Sequence, residues 1–222
     1  MGKKALVIGA NGLVGLNCVE QLLDNPNYEE VTVLTRKYFP LEHPKLVKEF
    51  LEFDNLHQSW DWIKSDDLFY CLGTTMANAR KRSIFRKVEL DYALNIAKIA
   101  HHNKVKQFII VSAMGASSSS LFFYNRIKGE LENELKRIGF QTLIIVRPAL
   151  LLGKREEFRL MESISQGFFK VFNFFLIGPL RNFKAVKGSD VAKAMIVLAN
   201  QNRKNTHIIL NKEIHDIVDN RV

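Results

Sequence analysis

The chain has 222 residues, 47% of them hydrophobic and 25% charged, which is the profile of one globular domain with a sizeable core and excludes a disordered or fibrous chain. Lys and Arg outnumber Asp and Glu by 32 to 23, a formal charge of +9, yet the basic residues are spread out. The small groups "RKRSIFRK" (Arg80, Lys81, Arg82, Arg86, Lys87) and "KGSDVAK" come with no nucleic-acid motif, so no nucleic-acid partner is expected.

The opening "MGKKALVIGANG" has too short an apolar run for a signal peptide or a spanning helix, so neither export nor a membrane span is expected. "KALVIGANGLVGLNCVEQLL" then passes from an apolar strand through a glycine turn to apolar residues at helical spacing, Leu13, Leu16, Val19, Leu22 and Leu23. "NPNYEE" breaks that helix, and Val31 to Arg36 forms a second strand through its β-branched residues. "LVKEFLEFD" is a third strand, Asp67 to Gly73 a fourth and Val105 to Gly115 a fifth. Between the last two, "IFRKVELDYALNIAKIAHHN" is a long helix with Val88, Tyr92, Ile96 and Ile99 along one side. "YNRIKGELENELKRIG" is a further helix, closed by Gly139, and "FQTLIIVRPALLL" a sixth strand. From about Gly153 the chain becomes rich in Phe, including Phe168, Phe169, Phe172, Phe174 and Phe175, and residues 153–188 are read as a lid on the substrate side of a single domain, 1–222. "KGSDVAKAMIVLANQ" is a last helix with Ser189 or Asp190 near its N-cap. Nearly continuous apolar strands separated by helices predict an α/β fold, a parallel sheet covered on both faces.

The turn "GANGLVG" places Gly9, Gly12 and Gly15 three residues apart between strand and helix. That spacing serves a tight turn, close backbone approach to a pyrophosphate and close packing of helix on sheet, with the helix N-terminus facing the phosphates. About 20 residues on, an acidic residue would accept from the ribose 2′-hydroxyl of NAD. Arg36, followed by Lys37, stands there instead, and a guanidinium suits a 2′-phosphate, which favours NADP(H) over NAD(H).

The glycine turn, Arg36, "YCLGTT", "IIVSAMGA", "YNRIKGE" and "VRPALLLG", in that order, resemble the atypical NAD(P)-binding branch of the short-chain dehydrogenase/reductase superfamily, and within it the Tat-interacting-protein-like and nucleoside-diphosphate-sugar epimerase-like proteins. The resemblance covers nearly the whole chain and implies a doubly wound parallel sheet, the Rossmann fold. It gives Gly9, Asn11, Gly12, Leu13 and Gly15 to the cofactor phosphates, Arg36 to the 2′-phosphate and Asp54 to the adenine. Leu72, Gly73 and Thr74 match the loop beside the nicotinamide ribose, and Pro148, Ala149 and Leu150 the segment near its amide. Ser112, Tyr124 and Lys128 match a catalytic trio in which Lys128 lowers the Tyr124 pKa and the phenol exchanges a proton with a substrate oxygen that Ser112 holds. Met114 occupies the place where the family serine often stands, so the hydroxyl comes from Ser112, Ser117 or one of Ser118 to Ser120.

The implied activity is hydride transfer to or from a small carbonyl or alcohol. A non-catalytic NADP(H)-sensing protein is the alternative that Met114 motivates, and a sugar-nucleotide epimerase or dehydratase is a third reading that the short tail disfavours. A small-molecule substrate and a second copy of the chain in a homodimer are the partners considered. The pair His101 and His102 reads as an exposed helix end, because no third ligand has metal-binding spacing. Two cysteines without metal-ligand spacing, Cys18 and Cys71, fit a reducing compartment, read here as the cytoplasm, with Cys71 read as a buried strand-end residue in preference to one lining the cofactor cleft.

Overall fold

The computed structural model describes residues 2–56, 61–152 and 184–219. Seven strands form one parallel sheet: β1 (Lys3–Ile8), β2 (Tyr28–Thr35), β3 (Leu46–Phe50), β4 (Asp67–Tyr70), β5 (Gln107–Val111), β6 (Thr142–Arg147) and β9 (Asn205–Leu210), ordered β3-β2-β1-β4-β5-β6-β9. Their registers run in step across the sheet, Val7 lying opposite Val33 on one side and Phe69 on the other.

Successive strand residues point to opposite faces, and both faces are covered. Val7, Val33, Phe69, Ile109, Ile144 and Ile209 pack under α1 (Leu13–Leu23), α6 (Gly188–Ala199) and α7 (Asn211–Val218). Leu6, Ile8, Leu34, Tyr70, Ile110 and Ile145 pack under α4 (Tyr92–His102) and α5 (Phe123–Ile138). The near-continuous apolar strands read from the sequence follow from this double burial.

The long helix expected between β4 and β5 is composite. After a short α2 (Met76–Ala79) come α3 (Arg82–Arg86), a π-helical turn at Lys87–Asp91 and α4, with the Tyr92 amide donating to the Lys87 carbonyl. Glu89 lies in this wider turn and is buried, on the same side as Phe85, Ala93 and Ile96. Strand lengths also differ from expectation. β4 ends at Tyr70 and β5 at Val111, and β6 stops before Pro148, which has no N–H for a ladder. Leu151–Leu152 is a separate strand, β7, paired in parallel with β8 (Val186–Lys187). Of residues 184–188, Val186–Lys187 form β8 and Gly188 starts α6, whereas 153–183, with the Phe cluster, lie outside the described residues. The N-cap of α6 is Lys187, so Ser189 and Asp190 sit in its first turn.

Two glycines fix the β1–α1 turn. Gly9 has φ +83°, and a Cβ there would lie 2.4 Å from the Leu72 amide nitrogen, so only glycine lets this turn meet the loop after β4. A Cβ on Gly15 would come within 2.2 Å of the Gly9 carbonyl oxygen. Gly15→Ala is therefore expected to destabilise the protein by about 1–3 kcal/mol through a forced backbone shift, read as a lower urea midpoint at unchanged m.

Candidate active site

The strand order reverses at β1 and β4, and the crevice outside the carboxyl ends of such strands is where open α/β sheets hold ligands. A cavity of about 400 Å³ opens there. Its walls come from the glycine turn (Gly9, Asn11, Gly12, Leu13), the end of β2 (Arg36, Lys37), the loop after β4 (Leu72, Gly73, Thr74) and the trio Ser112, Tyr124 and Lys128. Residues from four strand ends and two helices, far apart in sequence, thus converge on one crevice. Pro148, Ala149 and Leu150 are not in its lining, although the next residue, Leu151, is. Neither is Gly15, which packs beneath the turn.

At the glycine-turn end, no side chain caps the N-terminus of α1. The turn is closed by the Gly12 amide donating to the Gly9 carbonyl at 2.9 Å, and the Thr35 hydroxyl donates to the Asn11 side-chain oxygen Oδ1 at 2.7 Å, tying the turn to β2. An uncapped helix N-terminus favours an anion, and the Arg36 and Lys37 cations stand on the same wall. The Arg36 guanidinium lies 5.5 Å from the centre of the Phe53 ring, which also lines the cavity. This donor set fits the phosphates of a dinucleotide. Asp54 points elsewhere: its carboxylate is paired with Lys87 at 2.8 Å and accepts from the Tyr92 hydroxyl at 2.9 Å, contacts that hold it below the usual carboxylate range.

At the opposite end, α5 carries Tyr124 and Lys128 on one face. The Tyr124 ring packs on Phe85 with centroids 5.6 Å apart and stays 37% exposed. Lys128 is buried and paired with Glu89 at 2.6 Å, and its ammonium also donates to the Val111 carbonyl at 3.4 Å. The other Glu89 oxygen accepts the Thr74 amide, so one carboxylate ties the π-helical turn to both α5 and the loop after β4. Removal from water works against the Lys128 ammonium, but Glu89, with Tyr124 and Glu132, outweighs it and holds the amine above the ordinary lysine range. Removal from water also dominates the Tyr124 phenol and pushes it up. Lys128 pulls it down and Glu89 pushes it up again, so the net direction is opposite to the lowering expected from Lys128 alone.

Of the candidate serines, Ser112 is the one in the cavity wall. The others form a surface turn: Ser117 and Ser119 share a hydrogen bond of 2.9 Å, Ser118 accepts from Asn133, and Ser120 accepts from the Phe122 amide. Ser112 is buried and donates to Glu132 at 2.5 Å. Glu132, on α5, is in turn gripped by Arg147 through Nε at 3.0 Å and the terminal amine at 2.5 Å. A hydroxyl has one proton and an ionised carboxylate only accepts, so in this arrangement Ser112 offers the cavity an acceptor. Removing one member of this buried pair strands the other charge. Glu132→Ala is expected to cost about 3–5 kcal/mol, seen in the urea midpoint, and Glu132→Gln less.

Sequence reasoning missed Glu89. The signal was its spacing, one turn after Phe85 and one before Ala93 on the buried face, which a reading by residue type passes over because glutamates are mostly exposed. Cys71, read as a buried strand-end residue, is instead partly exposed and lines the cavity. His101 and His102 close α4 at the surface, His101 standing edge-on to Phe140 at 5.5 Å. No helix among the described residues is long and apolar enough to cross a membrane.

A family model described as HIM1 matches residues 63–175. Protein FMP52, mitochondrial, of Debaryomyces hansenii is 30% identical over 205 residues, covering 89% of this chain and 88% of its own. Protein HTATIP2 of Rattus norvegicus is 31% identical over 171 residues, covering 75% and 70%. Among solved structures, the Bordetella bronchiseptica enzyme WbmH in complex with NAD+ superposes with a TM-score of 0.70 over 99% of this chain and 80% of that one, at 15% identity, a likeness of fold. The word mitochondrial in the name of the D. hansenii relative, shared by several others, overturns the cytoplasmic expectation. Two thiols without a disulfide framework report redox conditions, and those do not separate one reducing compartment from another.

Proposed function

The chain belongs to the HIM1 family, with the Rossmann fold of short-chain-dehydrogenase-like proteins, and from that premise we propose that it is an NADP(H)-dependent oxidoreductase acting on a small carbonyl or alcohol. One observation carries the reading: the glycine turn, Arg36 and Lys37 share a single cavity with Tyr124 and Lys128, an anion-binding end joined to a proton-transfer end. The turn from Gly9 to Leu13, with Gly15 beneath it, would hold the phosphates, and Arg36 with Lys37 a 2′-phosphate. Phe53 would flank the adenine, and Asp54, next in sequence, would reach it only by leaving Lys87 and Tyr92. Leu72, Gly73 and Thr74 would border the nicotinamide ribose, and Pro148, Ala149 and Leu150 its amide. When bound, the dinucleotide supplies the hydride.

The protein's own part is positioning and proton transfer. Tyr124 gives a proton to the substrate oxygen, or takes one from it, within hydrogen-bond reach at the cavity wall. Lys128 sets the field at the phenol, and Ser112 orients the oxygen-bearing group by accepting a hydrogen bond, or by donating one if its proton leaves Glu132. The experiment is NADPH oxidation followed by absorbance over a panel of small aldehydes and ketones with the full chain. Saturable turnover on at least one substrate is expected.

A second reading, an NADP(H)-sensing binding protein, draws on the commitment of the Ser112 proton to Glu132. Tight NADPH binding without turnover on any substrate, together with a partner retained only in the presence of cofactor, would select it.

A further inference from the structure

We infer that Glu89 is a positioning residue that holds the Lys128 ammonium against its own carboxylate and so keeps the Tyr124 phenol in its protonated, proton-donating form. The inference deepens the oxidoreductase reading and rests on it for the identity of the proton acceptor, though not for the behaviour of the phenol itself.

The geometry begins with "FRKVELDY". Glu89 lies in the π-helical turn at Lys87–Asp91, on the buried face one turn after Phe85 and one before Ala93, and only 2% of its side chain is exposed. One oxygen lies 2.6 Å from Lys128 Nζ, and the other accepts the Thr74 amide. A carboxylate buried this deeply persists only with such partners. Lys128 is equally enclosed, with 5% of its side chain exposed.

A lone ammonium four residues along the helix would draw the proton off the phenol. A carboxylate in contact with that ammonium makes a nearly neutral pair, whose field at Tyr124 is far weaker than that of the cation alone. The remaining groups around the pair do not restore the lost positive field. On α5, Glu132 is negative and already held by Arg147. On β4, the Tyr70 phenol is buried and kept neutral by that burial and by Glu89. Tyr92, at the start of α4, is turned to Asp54, and Phe85, against the Tyr124 ring, carries no charge. Tyr124 thus meets the cavity as a proton donor. Its partly exposed ring gives water a route to return the proton once it has been given up.

The test needs neither cofactor nor substrate, so its outcome is separate from that of the turnover assay. Phenolate absorbance is followed against pH on the full chain. Of the five tyrosines, Tyr28 and Tyr70 are buried and Tyr92 is held by Asp54. In a Tyr38→Phe background, the transition that disappears with Tyr124→Phe therefore belongs to Tyr124. Glu89→Gln keeps the side-chain size and an acceptor for Thr74, and it is expected to move that transition down by about one pH unit or more. Lys128→Gln, which leaves the carboxylate unpaired, should move it up. A Tyr124 transition that stays in place or rises in Glu89→Gln, or that falls in Lys128→Gln, overturns the inference. If Glu89→Gln does not fold, Glu89→Asp, which keeps the charge but draws it back from Lys128, takes its place: a downward move of the Tyr124 transition is expected, and an unmoved or raised one overturns the inference.

Discussion

Replacing Tyr124 with Phe is expected to lower kcat for carbonyl reduction by about 10²- to 10⁴-fold while leaving NADPH affinity unaltered. The substitution removes one oxygen atom and nothing else, because the ring packs on Phe85 through its carbon face and Phe fills the same space. What disappears is the group that exchanges a proton with the substrate oxygen. Uncompensated charge on that oxygen then raises the barrier of the chemical step without touching the phosphate-binding end of the cavity. Stopped-flow NADPH oxidation separates the two effects, since a binding defect would appear in the cofactor titration and a chemical one only in the transient. Because the wild-type phenol is held above the ordinary tyrosine range, turnover that needs it protonated should persist through neutral pH and fall only on an alkaline limb. The sign follows from the state that acts: the donor is present below its pKa and lost above it. Turnover by Tyr124→Phe equal to wild type would remove the phenol from the chemistry.

Arg36→Asp carries the second large effect. A guanidinium on a phosphate makes charge-assisted, often bidentate hydrogen bonds, and an aspartate in its place both deletes them and repels the same dianion. A loss of about 2–4 kcal/mol corresponds to roughly 30- to 1,000-fold weaker NADPH binding. NADH, which lacks the 2′-phosphate, should bind the variant no worse and could gain a hydrogen bond from its 2′-hydroxyl to the new carboxylate. The preference between cofactors therefore inverts. Because Arg36 is exposed, the discrimination should also shrink as salt rises. Equal affinities of the wild type for NADPH and NADH would refute the role given to Arg36.

The parts of this architecture that could be read from the sequence are those where one local rule governs. The strand, glycine turn and helix at residues 3–23 stand as read, because the Gly9 backbone conformation and the close approach at Gly15 admit no other residue. The end of α5 at Gly139 was legible for a similar reason: its φ of +81° suits glycine at a helix terminus. Features that depend on tertiary context escaped. β9 was missed because "NTHIIL" mixes polar and apolar residues on an edge strand that pairs only with β6. Strand ends were overextended at β4, β5 and β6, since apolar residues continue past the last ladder bond into the crevice. Glu89 stands at helical spacing from the buried Phe85, Ala93 and Ile96, but that a carboxylate is kept there depends on Lys128 and the Thr74 amide, which other elements supply. Its partner Lys128 was found, but the direction of the Tyr124 shift came out reversed, because removal of the phenol from water outweighs the ammonium and Glu89 adds to it. The trio itself was named by resemblance, yet the commitment of Ser112 to Glu132 and Arg147 belongs to the packing of α5 on β6 and left no trace in any motif.

The most direct measurement is an equilibrium titration of NADPH into the purified full chain, followed by nicotinamide fluorescence and repeated with Arg36→Asp and Gly15→Ala. Saturable one-to-one binding, weakened in both variants and tighter for NADPH than for NADH, is the predicted result. No saturable binding of either dinucleotide to correctly folded protein would contradict the assignment of the cavity at the ends of β1 and β4.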